Sequence, residues 1–239
     1  MQPQLSPFDG VLLVDKPSGP TSHDVVDRVR RHFGFNKVGH CGTLDPAATG
    51  LLILVLERAT RLQDQLMSAD KAYEGVMRLG ISTDSQDADG HVIAEKPVPA
   101  LTGEEIESAF ARFRGDIRQV PPMVSAVKHQ GTPLYKLARK GKTVEREPRL
   151  VHIYDLRVLG VELPQIKFRA VCTKGTYVRT LCSDIGDALG CGAHLAELRR
   201  TRSGKFDVND AHRLDVILER TREELRPLII PILKLANLG

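Results

Sequence analysis

Nothing in this sequence invites a metal ion. Its four cysteines, Cys41, Cys172, Cys182 and Cys191, never fall in a C-x-x-C pair, and no histidines cluster at zinc-ligand spacing. Scattered single cysteines fit a reducing cytosol rather than a disulfide-stapled scaffold. Long apolar runs are missing too. The longest, Leu51 to Leu56, falls far short of the roughly 20 residues that span a bilayer. The first ten residues, MQPQLSPFDG, lack a basic segment followed by an apolar one, so no secretory signal is expected. P-loop and dinucleotide fingerprints are absent, which removes the commonest nucleotide cofactors. A strong charge imbalance is lacking: 34 Lys and Arg against 30 Asp and Glu leave a net charge of +4. That permits a polyanionic partner without demanding one. These absences predict a cytoplasmic protein that needs neither metal nor cofactor and does not enter a membrane.

What is present is an ordinary globular composition, 41% hydrophobic and 27% charged over 239 residues, enough for one large domain with a small appendage. Val11–Val14 reads as a buried strand, broken by Lys16-Pro17-Ser18-Gly19-Pro20. Ser22 is placed to cap a helix with Val25, Val26, Val29 and Phe33 on one face. Gly39 to Gly50 reads as a glycine-rich loop leading into the strand Leu51–Leu56. Tyr73–Leu79, Val151–Val158 and Ile166–Cys172 read as further strands. Thr102-Gly103-Glu104-Glu105 is a capping box opening a helix. Leu134 to Arg139 reads as a short helix. Thr176 is expected to cap a helix carrying Val178, Leu181, Cys182, Ile185 and Leu189. Leu214 to Leu225 reads as one charged helical stretch before an apolar, proline-punctuated end. Strands and helices interleave without a βαβ rhythm, which predicts an α+β fold.

Four segments can carry chemistry. In Gly39-His40-Cys41-Gly42-Thr43-Leu44-Asp45-Pro46-Ala47-Ala48-Thr49-Gly50, Pro46 biases Asp45 to an extended conformation. That fits either a simple Asx turn or a carboxylate held rigidly for nucleophilic or base work. In Thr173 to Leu181, Arg179 falls in the first turn of a helix. A cation there opposes the helix dipole, so it is either an exposed arginine tolerating a small cost or one aimed at an anion. Tyr73 is one of four tyrosines in a chain without tryptophan. It fits half-buried packing or stacking on a nucleobase. The basic segment from Lys128 through Arg139, Lys140 and Lys142 fits a solvated face or a groove for an RNA backbone.

Taken together, these segments closely resemble the TruB family of pseudouridine synthases. The resemblance runs through Asp15-Lys16-Pro17-Ser18-Gly19-Pro20-Thr21-Ser22, then Gly39-His40-x-Gly42-Thr43-Leu44-Asp45-Pro46-x-Ala48-Thr49-Gly50 and Lys71-x-Tyr73. It continues in Thr83-x-x-x-Asp87-x-x-Gly90, Ser125-Ala126-x-Lys128 and Lys174-Gly175-Thr176-Tyr177-x-Arg179-Thr180. It closes in Gly190-Cys191-Gly192-Ala193-His194-Leu195-x-x-Leu198-Arg199-Arg200. These blocks keep the family's order over about residues 10 to 205. The resemblance implies a pseudouridine synthase fold, a mixed and largely antiparallel sheet flanked by helices. It implies isomerisation of uridine 55 in the T-loop of tRNA by base flipping, with the T-arm as partner and the protein a monomer.

By the same resemblance, Asp45 is the catalytic aspartate, Arg179 the arginine that pairs with it and Tyr73 the ring stacked on the target base. Leu198 lines the pocket, His40 helps hold the opened T-loop, and Lys16 is a basic residue near the site. Tyr177 and Lys128 join the RNA-binding set. Cys41 stands where relatives often carry Thr, a change expected to be tolerated. Residues 1–207 are expected to form the catalytic domain. The 208–239 remainder is expected to form a short helical tail, too small for the β-barrel RNA-binding domain that many members carry. Two other classes fit parts of the pattern. An RNA-folding chaperone would use His40 and the basic surface but would not need Asp45, Arg179 and Tyr73 together. A guide-RNA-dependent relative would share the catalytic blocks.

Overall fold

A computed structural model describes residues 6–125, 127–138 and 140–235. The chain divides into two compact units. Unit 1 comprises Met1–Lys71 and Arg199–Gly239, and unit 2 comprises Ala72–Leu198.

Unit 1 opens with β1 (Gly10–Lys16) and α1 (Ser22–Phe33), followed by β2 (Val38–Cys41) and β3 (Thr49–Leu56). The uninterrupted apolar run of β3 is what a strand buried on both faces requires, and Leu51 to Leu56 are fully buried. β1 pairs antiparallel with β3, from Gly10 opposite Leu56 to Lys16 opposite Gly50. Val11, Leu13, Cys41, Leu51, Ile53 and Val55 form a core cluster with Phe206, Ile232 and Leu235. Truncating one of its fully buried members, as in Ile53→Ala, would cost about 2–5 kcal/mol. After β3 come a 3-10 turn, Glu57–Leu62, and α2 (Gln63–Met67).

Unit 2 contains most of β4 (Lys71–Leu79), then the hairpin of β5 (Ile81–Thr83) and β6 (Val92–Glu95), α3 (Gly103–Ala111) and β7 (Gly115–Gln119). A second small hairpin, β8 (Lys128–His129) and β9 (Thr132–Pro133), runs into α4 (Leu134–Ala138). Long strands β10 (Arg149–Glu162) and β11 (Gln165–Cys172) pair antiparallel, and β7 pairs antiparallel with β10. In β11, Ile166, Phe168 and Ala170 are buried alternately, the period-2 pattern of a strand with one covered face. Phe110 of α3 and Leu181 of α5 (Val178–Ala188) are fully buried as well.

Strand β12 (Ala193–Ser203) contributes Ala193–Leu198 to unit 2 and the rest to unit 1. There it pairs parallel with β3, Arg199 opposite Thr49 and Arg200 opposite Gly50. The chain then adds β13 (Phe206–Asp207), β14 (His212–Arg213), α6 (Leu214–Leu218), α7 (Arg222–Leu225), β15 (Ile229–Pro231) and α8 (Ile232–Leu235). β14 pairs parallel and β15 antiparallel with β1. Residues 208–235 are thus built onto the strand that opens the chain.

Four local expectations are corrected. Thr21, not Ser22, caps α1: its side chain accepts from Asp24 N while Asp24 reaches back to the Thr21 backbone. The Ser22 hydroxyl is already engaged, accepting from Leu44 N and donating to Leu44 O. Residues 38–41 are strand rather than loop, because β3 offers them a hydrogen-bonding edge that outweighs their glycine content. Thr176 does not cap α5. The cap residue is Tyr177, which makes no side-chain cap bond, and the Thr176 hydroxyl donates to Thr173 O. The stretch from Leu214 to Leu225 is two short helices, because Thr221 and Glu224 form a capping box that restarts the second.

Candidate active site

Asp45 lies half-buried in the seven-residue turn between Cys41 and Thr49 that joins β2 to β3. The backbone around it is tied at every side. Ser22, from the first turn of α1, holds both the N–H and the C=O of Leu44 at 2.9 and 3.1 Å. Pro46 O accepts from Gly19 N at 2.9 Å and from Lys16 Nζ at 3.0 Å. Ala48 N donates to Asp45 O at 3.1 Å. Arg200, 1% exposed, donates through Nε to Leu51 O at 2.7 Å and through NH2 to Gly42 O at 3.0 Å. Gly50 is required here: its φ is 97°, and a Cβ would fall 2.3 Å from Arg200 O. A loop held this way presents its carboxylate in one geometry, which is what pre-organised chemistry needs.

The charges behind the loop are unusual. Lys16 is wholly buried at the end of β1, its ammonium donating to Pro17 O at 2.8 Å and to Pro46 O. Burial pulls its pKa down to about 8, and the Asp45 carboxylate pulls the other way. Asp45 and Lys16 are therefore brought together electrostatically. His40, on β2, has its pKa lowered by burial and by the charges of Arg200 and His23. It is thus a neutral ring at physiological pH, suited to hydrogen bonding or stacking rather than to pairing with phosphate. Cys41 packs in the core cluster, and burial pushes its thiol up to about 12. Cys41 is thus an un-ionised core thiol that packs as a small apolar side chain.

The remaining candidates lie in unit 2. Arg179 is 5% exposed, which excludes the solvated arginine that its sequence position allowed. Its NH1 donates to Ser85 O and to Asp87 Oδ2, both at 3.2 Å, and its NH2 donates to Val124 O at 2.8 Å. The planar guanidinium uses its fixed fork to reach several acceptors at once. Just before it, Tyr177 is gripped through its backbone by Gln119, whose side-chain amide accepts from Tyr177 N at 3.0 Å and donates to Tyr177 O at 3.2 Å. Tyr73 is 8% exposed on β4. Leu198 is half-buried on β12. Lys128 lies on β8; its side chain is outside the described residues, as are Ala126 and Arg139 altogether.

Sequence reasoning quoted Asp87 in a motif but gave it no role. In the structure it receives Arg179, its Oδ1 accepts from Ser85 Oγ and from Asp89 N, and its backbone O accepts from Thr83 Oγ1. Gly90 closes this turn because a Cβ there would meet Ser85 Oγ at 2.2 Å. The Thr83-x-x-x-Asp87-x-x-Gly90 spacing was the available signal: a hydroxyl, a carboxylate and a glycine at fixed offsets form a tight loop that aims the carboxylate. Gln119, Ser22 and Arg200 were missed as supports because their partners are backbone atoms 22 to 158 residues away in sequence. Among the described residues, no group of His, Cys, Asp and Glu is placed to hold a metal ion. No helix among them is long and apolar enough to cross a membrane.

Residues 30–178 match the family described as TruB family pseudouridylate synthase, N-terminal domain. Residues 179–235 match the tRNA pseudouridylate synthase B C-terminal domain. A tRNA pseudouridine synthase B from Opitutus terrae is 54% identical over 96% of this chain and 95% of its own length. One from Chromohalobacter salexigens is 48% identical over 95% of this chain and 74% of its own. Among solved structures, a Cbf5-Nop10-Gar1 complex aligns with a TM-score of 0.76 at 34% identity, over 95% of this chain and 61% of that one. An H/ACA RNP bound to a substrate RNA containing 2'-deoxyuridine aligns at 0.72 and 31%. The chain spans about three fifths of the length of these solved chains.

Proposed function

Because this chain belongs to the TruB family of pseudouridylate synthases, we propose that it isomerises uridine 55 in the T-loop of tRNA to pseudouridine, with Asp45 as the catalytic carboxylate. The reaction breaks the N1–C1′ bond, turns the uracil and rejoins it through C5. Nothing has to be supplied or carried away, so the chain needs only to flip, hold and turn a base. The observation that carries the reading is the Asp45 loop, whose backbone is fixed on both sides of the carboxylate by Ser22, Lys16, Gly19 and Arg200.

The other roles belong to the same proposal. Arg179 is the cation that pairs with Asp45 in catalysis. Tyr73 stacks on the flipped base, offsetting the few kcal/mol lost on unstacking. Leu198 supplies apolar contact, and His40 and Tyr177 contact the opened T-loop. Lys16 supports the carboxylate from behind, and Lys128 meets the RNA backbone. Residues 208–235 act with the catalytic segment, since β14 and β15 are laid on β1. The protein works as a cytoplasmic monomer on the T-arm. The 54% identity to a tRNA pseudouridine synthase B, against 34% to a Cbf5-Nop10-Gar1 complex, favours a tRNA substrate.

The test is direct. Unmodified tRNA is incubated with the protein in EDTA, without cofactor, and pseudouridine is mapped. The expected result is product at position 55 with wild-type protein and none with Asp45→Asn, which still binds tRNA. Product elsewhere only, a requirement for metal with tRNA folding unaffected, or turnover by Asp45→Asn rejects the reading.

A further inference from the structure

The loop that carries Asp87 makes a second tie to α5, one residue along from the first. Thr180, 3% exposed and next to Arg179, donates its hydroxyl to Gln86 Oε1 at 2.8 Å. Gln86 is next to Asp87. Two consecutive loop side chains thus meet two consecutive helix side chains, Asp87 with Arg179 and Gln86 with Thr180.

Extended backbone cannot do this, because successive side chains in it point to opposite sides. Gln86 escapes the alternation by adopting φ 65°, the left-handed region that side chains other than glycine and asparagine rarely enter. Such a conformation persists only where the surroundings over-determine it, and it clusters at functional sites. Here Gln86 O accepts from Leu195 N at 3.0 Å, and Gln86 N donates to Thr83 O at 3.1 Å. The backbone is pinned from both sides while the side chain reaches the helix.

We propose that Gln86 and Thr180 form a positioning latch: their hydrogen bond fixes the first turn of α5 against the Asp87 loop and so sets the orientation of the Arg179 guanidinium in the isomerisation. Neither residue touches the substrate. Ser85 O, Asp87 and Val124 O hold the guanidinium itself, at the far end of a long side chain, and leave the helix turn that carries it to be fixed separately. The Gln86–Thr180 tie, one residue away, fixes that turn against the loop. The latch rests on the proposed roles of Arg179 and Asp45.

The experiment is single-turnover pseudouridine formation on unmodified tRNA, with the concentration dependence resolved. Gln86→Gly keeps the left-handed backbone without strain and removes the amide; Thr180→Val keeps the shape and removes the hydroxyl. Each is expected to lower the maximal rate by about five- to twentyfold, with half-saturation moved less than twofold, because the loss falls on the reacting geometry and not on binding. The double variant is expected to be no slower than the worse single, since the two groups make one bond. Thr180→Ser is expected to recover the rate lost in Thr180→Val to within threefold. Wild-type rates in both Gln86→Gly and Thr180→Val, fully additive losses, or a loss confined to half-saturation overturns the latch. Asp45→Asn in the same assay separates this from the parent reading. If it is inactive while both latch variants run at the wild-type rate, only the latch fails; if it is active, the assignment of Asp45 fails.

Discussion

The two units hold their proposed catalytic side chains in opposite ways. In unit 1 the Asp45 carboxylate is half-buried, and the grip is on the backbone around it, supplied by the buried side chains of Ser22, Lys16 and Arg200. In unit 2 the functional side chain itself is buried and gripped: Arg179 is held by backbone carbonyls of Ser85 and Val124 and by the Asp87 carboxylate. The difference fits the roles proposed for the two groups. A carboxylate that reacts has to keep a face open, and a backbone tied on both sides of it limits where that face can point. A guanidinium that orients a partner can be sunk, provided that its charge and donors are met where it lies. In both units a buried cation is satisfied largely by carbonyl oxygens, and the support comes from residues distant in sequence.

The comparison can be broken first at its centre. Asp45→Asn keeps the loop's ties and removes only the charge, so the rate should fall by at least about ten-thousandfold, as for loss of a group essential to the chemical step. A filter-binding assay should show affinity for unmodified tRNA within a few fold of wild type. Arg179→Lys attacks the other strategy. A compact ammonium cannot span the acceptors that NH1 and NH2 reach separately, and about a hundredfold loss in kcat is expected. Near-normal kinetics would show that the grip on the guanidinium is incidental.

Arg200→Met tests the backbone grip without touching a reacting group. It leaves Gly42 O and Leu51 O without their buried donor, and urea denaturation should show about 3 kcal/mol of lost stability. The rate should fall as well, because the loop is no longer fixed. A large stability loss with an unchanged rate would mean that loop rigidity does not matter to Asp45.

The pH dependence sharpens the role of Lys16. Burial lowers it from 10.5 to about 8, against the pull of Asp45. Its ammonium is present below about 8 and lost above, so the rate should fall as pH rises through that value. Lys16→Met should lack this limb. Stability should move the other way. Between about 8 and 10.5 the unfolded lysine holds its proton and the folded one does not, so this group's contribution to stability grows with pH across that window. Opposite trends in rate and stability identify the group. The smallest effect is a control: Thr102→Ala removes the exposed cap of α3, whose side-chain bonds run only between Thr102 and Glu105. The melting temperature should fall by about 3 °C with kcat unchanged.

Much of this was legible from the residues in order. The apolar run of β3, the alternation of β11, the apolar face of α1 and the capping box at Thr102 follow from local periodicity and local hydrogen bonding, which the sequence states directly. The resemblance of the motif blocks to the TruB family singled out Asp45, Arg179 and Tyr73, where the residues alone left each with a purely structural alternative. The exchange of Ser22 for Thr21 as the cap was beyond that reach. Either hydroxyl fits locally, and only the arrival of Leu44, 22 residues on, decides which is free. The same holds for Gln119 on Tyr177 and Arg200 on Gly42, where one partner is a backbone atom that any residue carries and no pattern marks. Sequence alone determined the long apolar and alternating elements and the buried runs, but not a short strand such as β2, which forms because β3 offers it an edge. The tertiary structure decided which backbone groups each buried side chain satisfies, because a polar group taken from water must find its partner wherever the fold brings one within about 3 Å.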